Sequence, residues 1–204
     1  MITTWAEPLA RIWARTPKIA LFGAAALVQV ALLSVMIVDR VQILRDGKEV
    51  TLRSRPLDPR DLLRGDYVVL GYDISQLPAG ALLNQPASSR TPWVFVRLVP
   101  NRDGLYEAVS VQTEPVGVSS PEVLIRGTIL NGATCGSSGY AFCEKLSIRY
   151  SLESYFVPEG EGRKLEDLRN QGKLSVVAAV LPSGRAAIKR LLIDGKPVYE
   201  EPWF

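Results

Sequence analysis

The densest cluster of chemically capable side chains lies between Arg53 and Asp73, in RSRPLDPRDLLRGDYVVLGYD. Asp58, Asp61, Asp66 and Asp73 alternate there with Arg53, Arg55, Arg60 and Arg64. A carboxylate pair could act as general acid and base, and the arginines could hold an anion or a lipid headgroup. The same residues also suit plain turn chemistry, and that is the preferred reading. Asp58-Pro59 caps a single helical turn, with proline at its first position. Arg64-Gly65-Asp66 makes a tight turn in which glycine supplies a positive φ and aspartate bonds a nearby amide.

Composition excludes several other chemistries. The chain has no histidine, which removes Ser-His-Asp and Cys-His catalysis and the usual imidazole metal sites. Two cysteines without histidine do not make a standard zinc site. No G-x-x-x-x-G-K-[ST] phosphate loop occurs. Lys and Arg number 24 against 21 Asp and Glu, a net charge of +3 over 204 residues. That surplus is too small to point to nucleic acid. Much of it lies close to the apolar run described next, where it would face lipid headgroups. A turn ending in Gly65-Asp66 before an apolar strand resembles the strand entry of signal-peptidase-like serine proteases. However, the Ser-Met-x-Pro stretch and the lysine base of those enzymes have no counterpart here. No cofactor, no metal and no catalytic activity are expected.

The element that must position everything else is Ile19 to Val38, IALFGAAALVQVALLSVMIV, without a single charge and bracketed by Lys18 and Asp39-Arg40. A helix of that length rises roughly 30 Å, the thickness of a bilayer's hydrocarbon core. The alternative, a cleaved signal peptide, has a shorter apolar region and a small-x-small cleavage site. Residues 34–40 offer no such site, so an uncleaved transmembrane helix over 19–40 is expected. Gln29 is its one strongly polar side chain. It is either tolerated or a hydrogen-bonding contact with another helix.

Residues 1–18 read as a cytoplasmic or interfacial segment. Trp5, Leu9, Ile12 and Trp13 recur at helical spacing, with Arg11 and Arg15 off that face. The Lys and Arg flanking the run do not decide orientation. Cys135 and Cys143 do, because they bracket a Gly/Ser-rich loop and fit a disulfide in an oxidising compartment. The expected localisation is therefore the bacterial inner membrane, with the N-terminus cytoplasmic and residues 41–204 periplasmic.

Residues 41–204 read as one β-rich domain. Strands are expected over 50–53, 66–74, 93–99, 105–111, 123–130, 145–157, 174–181, 186–193 and 198–200. Hairpin signals lie at Asn101-Arg-Asp-Gly104, Pro182-Ser-Gly-Arg185 and Asp194-Gly-Lys-Pro197. Gln76 to Pro92 reads as a surface connection. One turn over 59–63 and one helix over 162–170 are the helical signals. The expected fold is a single N-terminal transmembrane helix followed by a mainly antiparallel β domain, an open barrel or sandwich, with one or two short helices.

Gly65-Asp66-Tyr67-Val-Val-Leu70-Gly-Tyr72 fits G-D-Y-x-x-L-x-Y at every fixed position. On that motif the chain resembles the GDYXXLXY family of bacterial membrane-anchored proteins. The resemblance continues through 58–61, 155–160 and 186–195. It implies an N-terminal span, a following domain and, since members often occur beside or fused to a polytopic membrane protein, a partner in the membrane.

Three functions are weighed. The first is an accessory or assembly subunit docked on a polytopic membrane protein or membrane complex, with the lipid bilayer as surroundings. Gln29, Asp58, Arg60, Asp61 and Arg64 are its candidate contact residues, and the apolar C-terminus Pro202-Trp203-Phe204 either finishes the core or adds an anchor. The second is an envelope ligand-binding or sensing module using the loops of 53–73 and 155–160. The third is an enzyme that works through Asp or Tyr, which needs a carboxylate pair at hydrogen-bond range. They are ranked in that order.

Overall fold

The structure, a computed structural model, describes residues 18–55, 67–78, 81, 83, 93–130, 145–158 and 160–202. The expected interfacial segment over 1–18, the turn over 59–63, the cysteine loop and the final Trp203-Phe204 fall outside those residues, except for Lys18, which opens the first helix. The chain divides into two units, Met1–Arg40 and Val41–Phe204.

The first unit is occupied by α1, Lys18–Asp46, whose last turns lie in the second unit. Its apolar side chains are exposed on every side: Phe22, Leu27, Leu33 and Met36 all point outward, as does Gln29. Among the described residues, no part of its most apolar window is buried. A helical run that is hydrophobic all round and exposed has the composition and length to cross a membrane.

Within the second unit the expected β domain is present as a nearly closed, mainly antiparallel barrel. One five-stranded sheet contains β1 (Lys48–Arg55), β3 (Gly71–Tyr72), β10 (Leu174–Val180), β11 (Ala186–Ile193) and β12 (Lys196–Glu200), in the order β12-β11-β10-β1-β3. A second contains β4 (Gln76–Pro78), β5 (Trp93–Pro100), β6 (Tyr106–Gln112), β7 (Val123–Ile129) and β8 (Lys145–Arg149), in the order β4-β8-β7-β5-β6. A two-stranded ladder pairs β2 (Tyr67–Val69) with β9 (Ser154–Phe156). The short helix is α2, Gly162–Asn170, at the bounds read from the sequence.

Among the described residues, backbone contacts join the two larger sheets. Thr51 bridges Leu105, and the Arg126 N–H donates to the Gly184 carbonyl at 2.8 Å. Gly184 turns the β10–β11 hairpin at φ +81 and lies against Arg126 and Phe95, so a side chain there would be both strained and crowded.

The core follows the alternation legible in the sequence. Val68, Leu70, Tyr72 and Ile74 are all buried, and so are Leu146, Ile148, Tyr150 and Leu152. β10 departs from alternation and is buried along nearly its whole length. Its outer face, at Ala179, is covered by Ile43 and Leu44 of α1 together with Leu181 and Ala187. This is why the helix continues past the charged Asp39-Arg40 to Asp46. The polar bracket ends the apolar run, while Ile43 and Leu44 still gain from burial.

Gly47 makes the close approach that this packing needs. A Cβ there would collide with the Ile43 carbonyl oxygen and stand 2.9 Å from both Ala179 Cβ and Val180 N. We expect Gly47→Ala to destabilise the domain by about 1–3 kcal/mol through overpacking. Urea titration of the full-length protein in mild detergent measures it, and an unchanged midpoint would contradict the packing described.

Candidate functional site

The strand that carries Tyr67, Leu70 and Tyr72 is the seam of the barrel. Over twelve residues, Tyr67 to Pro78, it pairs in turn with β9, β1 and β8. Extended backbone runs to Tyr72, a 3₁₀ turn follows at Asp73–Ser75, and β4 closes the run. The Leu70 N–H donates to the Glu153 carbonyl at 2.8 Å. The Tyr72 hydroxyl donates to the Leu152 carbonyl at 2.5 Å, and the Tyr150 hydroxyl donates back to the Ile74 carbonyl at 2.6 Å. Two buried phenols thus tie residues 70–74 to residues 150–153 reciprocally. Each satisfies a polar tip that would otherwise be costly to bury. Burial, with a smaller contribution from the Glu153 charge, pushes both phenols well above the ordinary tyrosine pKa.

Sequence reasoning missed the third tie. Arg169 is fully buried, and its guanidinium donates to the Val69 carbonyl and to Asn170 Oδ1. Burial pulls its pKa down and the nearby Glu166 charge opposes that. The signal was present: Arg169 stands four residues after Leu165, which is also buried, so a charge sits on the apolar face of α2.

A polar cleft of about 450 Å³ opens beside this seam, between Arg53, Arg55, Asp73, Lys173, Ser175 and Asp194. Arg53 and Asp73, the ends of the sequence cluster, are exposed on its walls, and Arg55 donates to Gln76 Oε1 at 3.0 Å. The structure thus brings Arg53, Arg55 and Asp73 together. The rest of the cluster that was singled out, namely Asp58, Arg60, Asp61, Arg64, Gly65 and Asp66, lies outside the described residues. Cys135 and Cys143 do as well. Among the described residues, no group of three or more carboxylates or cysteines is placed to hold a metal ion.

A second opening, of about 500 Å³, has more apolar walls. Val116 and Val118 come from the loop between β6 and β7, Leu124 from β7 and Leu181 from the end of β10. Lys48 closes one side. Its Nζ donates to the Pro121 carbonyl at 2.9 Å and lies 3.4 Å from Ser120 Oγ.

A family model described as GDYXXLXY protein matches residues 29–191, most of the chain. The protein belongs to the GDYXXLXY family. The match runs from the second half of the apolar helix into β11, so the helix end and most of the barrel's strands fall within the GDYXXLXY region. Comparison with curated proteins and with solved structures gives no match. In the structure, the described motif positions of this GDYXXLXY domain sit in the barrel's seam. Leu70 and Tyr72 are buried there, while Tyr67 opens β2.

Proposed function

We propose that this GDYXXLXY protein is a single-pass accessory or assembly subunit of a polytopic membrane protein or membrane complex. Its anchor lies in a bacterial inner membrane with the N-terminus cytoplasmic. The barrel is periplasmic, and a Cys135–Cys143 disulfide closes one of its loops. The observation that carries the reading is the apolar window of α1, none of which is buried among the described residues. Lipid covers such a surface, and so do other spanning helices; Gln29 offers the latter an interhelical hydrogen bond. The reading assigns the motif to building the barrel, and it assigns no catalytic role to any residue.

Affinity purification of a C-terminally tagged copy from native membranes in mild detergent tests it. A stoichiometric polytopic protein should accompany the wild type and be lost when residues 19–38 are replaced by an unrelated span. A lone protein at full yield would overturn the proposal.

The polar cleft favours a second reading, an envelope binding module for a small charged ligand. Its Arg53, Arg55 and Lys173 face Asp73 and Asp194 across a space within the usual range of ligand sites.

A further inference from the structure

We propose that the apolar groove between Val116, Val118, Leu124 and Leu181 is a binding site for a zwitterionic phospholipid. One acyl chain lies along the groove and the headgroup sits at the Asp46–Lys48 rim. The groove holds about 500 Å³, within the range of small-molecule sites, and joins apolar walls to a few polar groups at one side. One of those walls, Val116, is 52% exposed, so apolar surface is left for an occupant to cover.

The rim sets the headgroup chemistry. Glu122 is committed, since both its oxygens accept from Arg97, at 2.7 and 2.5 Å. The Lys48 ammonium uses two donors on Pro121 and Ser120, and an ammonium has three. Asp46 lines the same rim, two residues away. One cation with a donor to spare beside one carboxylate matches a headgroup bearing a phosphate and an amine, and matches a purely anionic one less well.

Chain connectivity selects a lipid as the occupant. Asp46 follows Val38, the last residue of the apolar run, by eight residues. However those residues fold, they reach no further than about 28 Å. The groove is therefore tethered within that distance of the apolar run, and phospholipid is the apolar molecule that surrounds such a run. The inference rests on the bilayer reading of residues 19–38, and its test separates the two.

The full-length protein is reconstituted into vesicles containing phosphatidylethanolamine with a photoactivatable acyl chain, irradiated, and its labelled peptides are mapped. Label is expected on residues 115–124 or 180–182 as well as on α1. Val116→Trp, which fills the groove from an exposed wall, should abolish the groove label, keep the α1 label and leave the melting temperature unchanged. Asp46→Asn should erase the preference for phosphatidylethanolamine over an equally reactive phosphatidylglycerol. Label on α1 without label in the groove overturns the site, as does groove labelling that survives Val116→Trp. Equal labelling by the two lipids in the wild type overturns the headgroup assignment. Absence of label from both places overturns the site and the bilayer reading together. A photoreactive side chain at position 116 that captures a polypeptide in cells, and no lipid, also overturns it.

Discussion

Replacing Tyr72 by alanine should remove about 3–5 kcal/mol of barrel stability, a large share of the roughly 5–15 kcal/mol that holds a domain together. Two losses add. The ring is fully buried in the main core, so its removal leaves a cavity that the surrounding strands fill only in part. The hydroxyl is the partner of the Leu152 carbonyl, which is left without its donor. Tyr72→Phe separates the two, because it keeps the ring and costs only about 1–2 kcal/mol. Urea unfolding of the full-length protein in mild detergent, followed by tryptophan fluorescence, measures both variants. Trp93 is a suitable reporter, since it lies in β5 with the Arg126 guanidinium carbon 4.5 Å from its ring centroid. The result bears on what the motif is for. If Tyr72 served contact with a partner, the alanine variant would unfold near the wild-type midpoint and lose only the partner. The buried geometry predicts the opposite order, with stability falling first and partner binding lost only as a consequence.

The same geometry explains which parts of the protein could be read from its sequence. Strict alternation betrayed the strands that bury one face, such as Leu146, Ile148, Tyr150 and Leu152, because period two has no other common cause. Hairpins were legible where a side chain makes the turn. Asn101 Oδ1 accepts from the Asp103 and Leu105 amides at 2.9 and 3.0 Å, and Asp194-Gly195 supplies two successive residues of positive φ. The expected strand over 145–157 was too long for a physical reason: Ser151 takes φ +61, which breaks the ladder and separates β8 from β9. The expected strand over 66–74 likewise gives way to the 3₁₀ turn at Asp73. β4 was hidden within the supposed connection over 76–92, because three residues ending in a proline carry no periodic signal. Nothing local announced the seam itself. The pairing of one short run with β9, β1 and β8 is a non-local fact, and so are the reciprocal tyrosine bonds. The openings are harder still to foresee. Leu181 is far in sequence from Val116 and Leu124, all three are of ordinary type, and only the folded barrel makes them neighbours.

The buried tyrosine pair should also give the barrel a steep alkaline limit. In the folded state both phenols are held protonated, by burial first and by the Glu153 charge second, so their pKa values lie well above the unfolded value near 10. Below pH 10 neither state releases the proton, and the stability that the phenols contribute is fully present. Above pH 10 the unfolded chain ionises while the folded chain does not. The unfolded state then binds fewer protons, and stability falls as pH rises toward the folded-state values. Each tyrosine adds about 1.4 kcal/mol of lost stability per pH unit in that window, so the pair adds about 2.7. A difference measurement isolates the contribution of this pair. Tyr150→Phe starts from a lower stability, because the Ile74 carbonyl loses its donor, but it should lose stability less steeply than the wild type between pH 10 and 11.5, by about one tyrosine's share. Tyr72→Phe should behave alike, and the double variant should be shallower by both shares. Urea midpoints at a series of alkaline pH values give these slopes. Parallel slopes in wild type and variants would mean that the phenols ionise in the folded protein. Their hydroxyls would then have to reach water, and the seam would have to be open where the structure closes it.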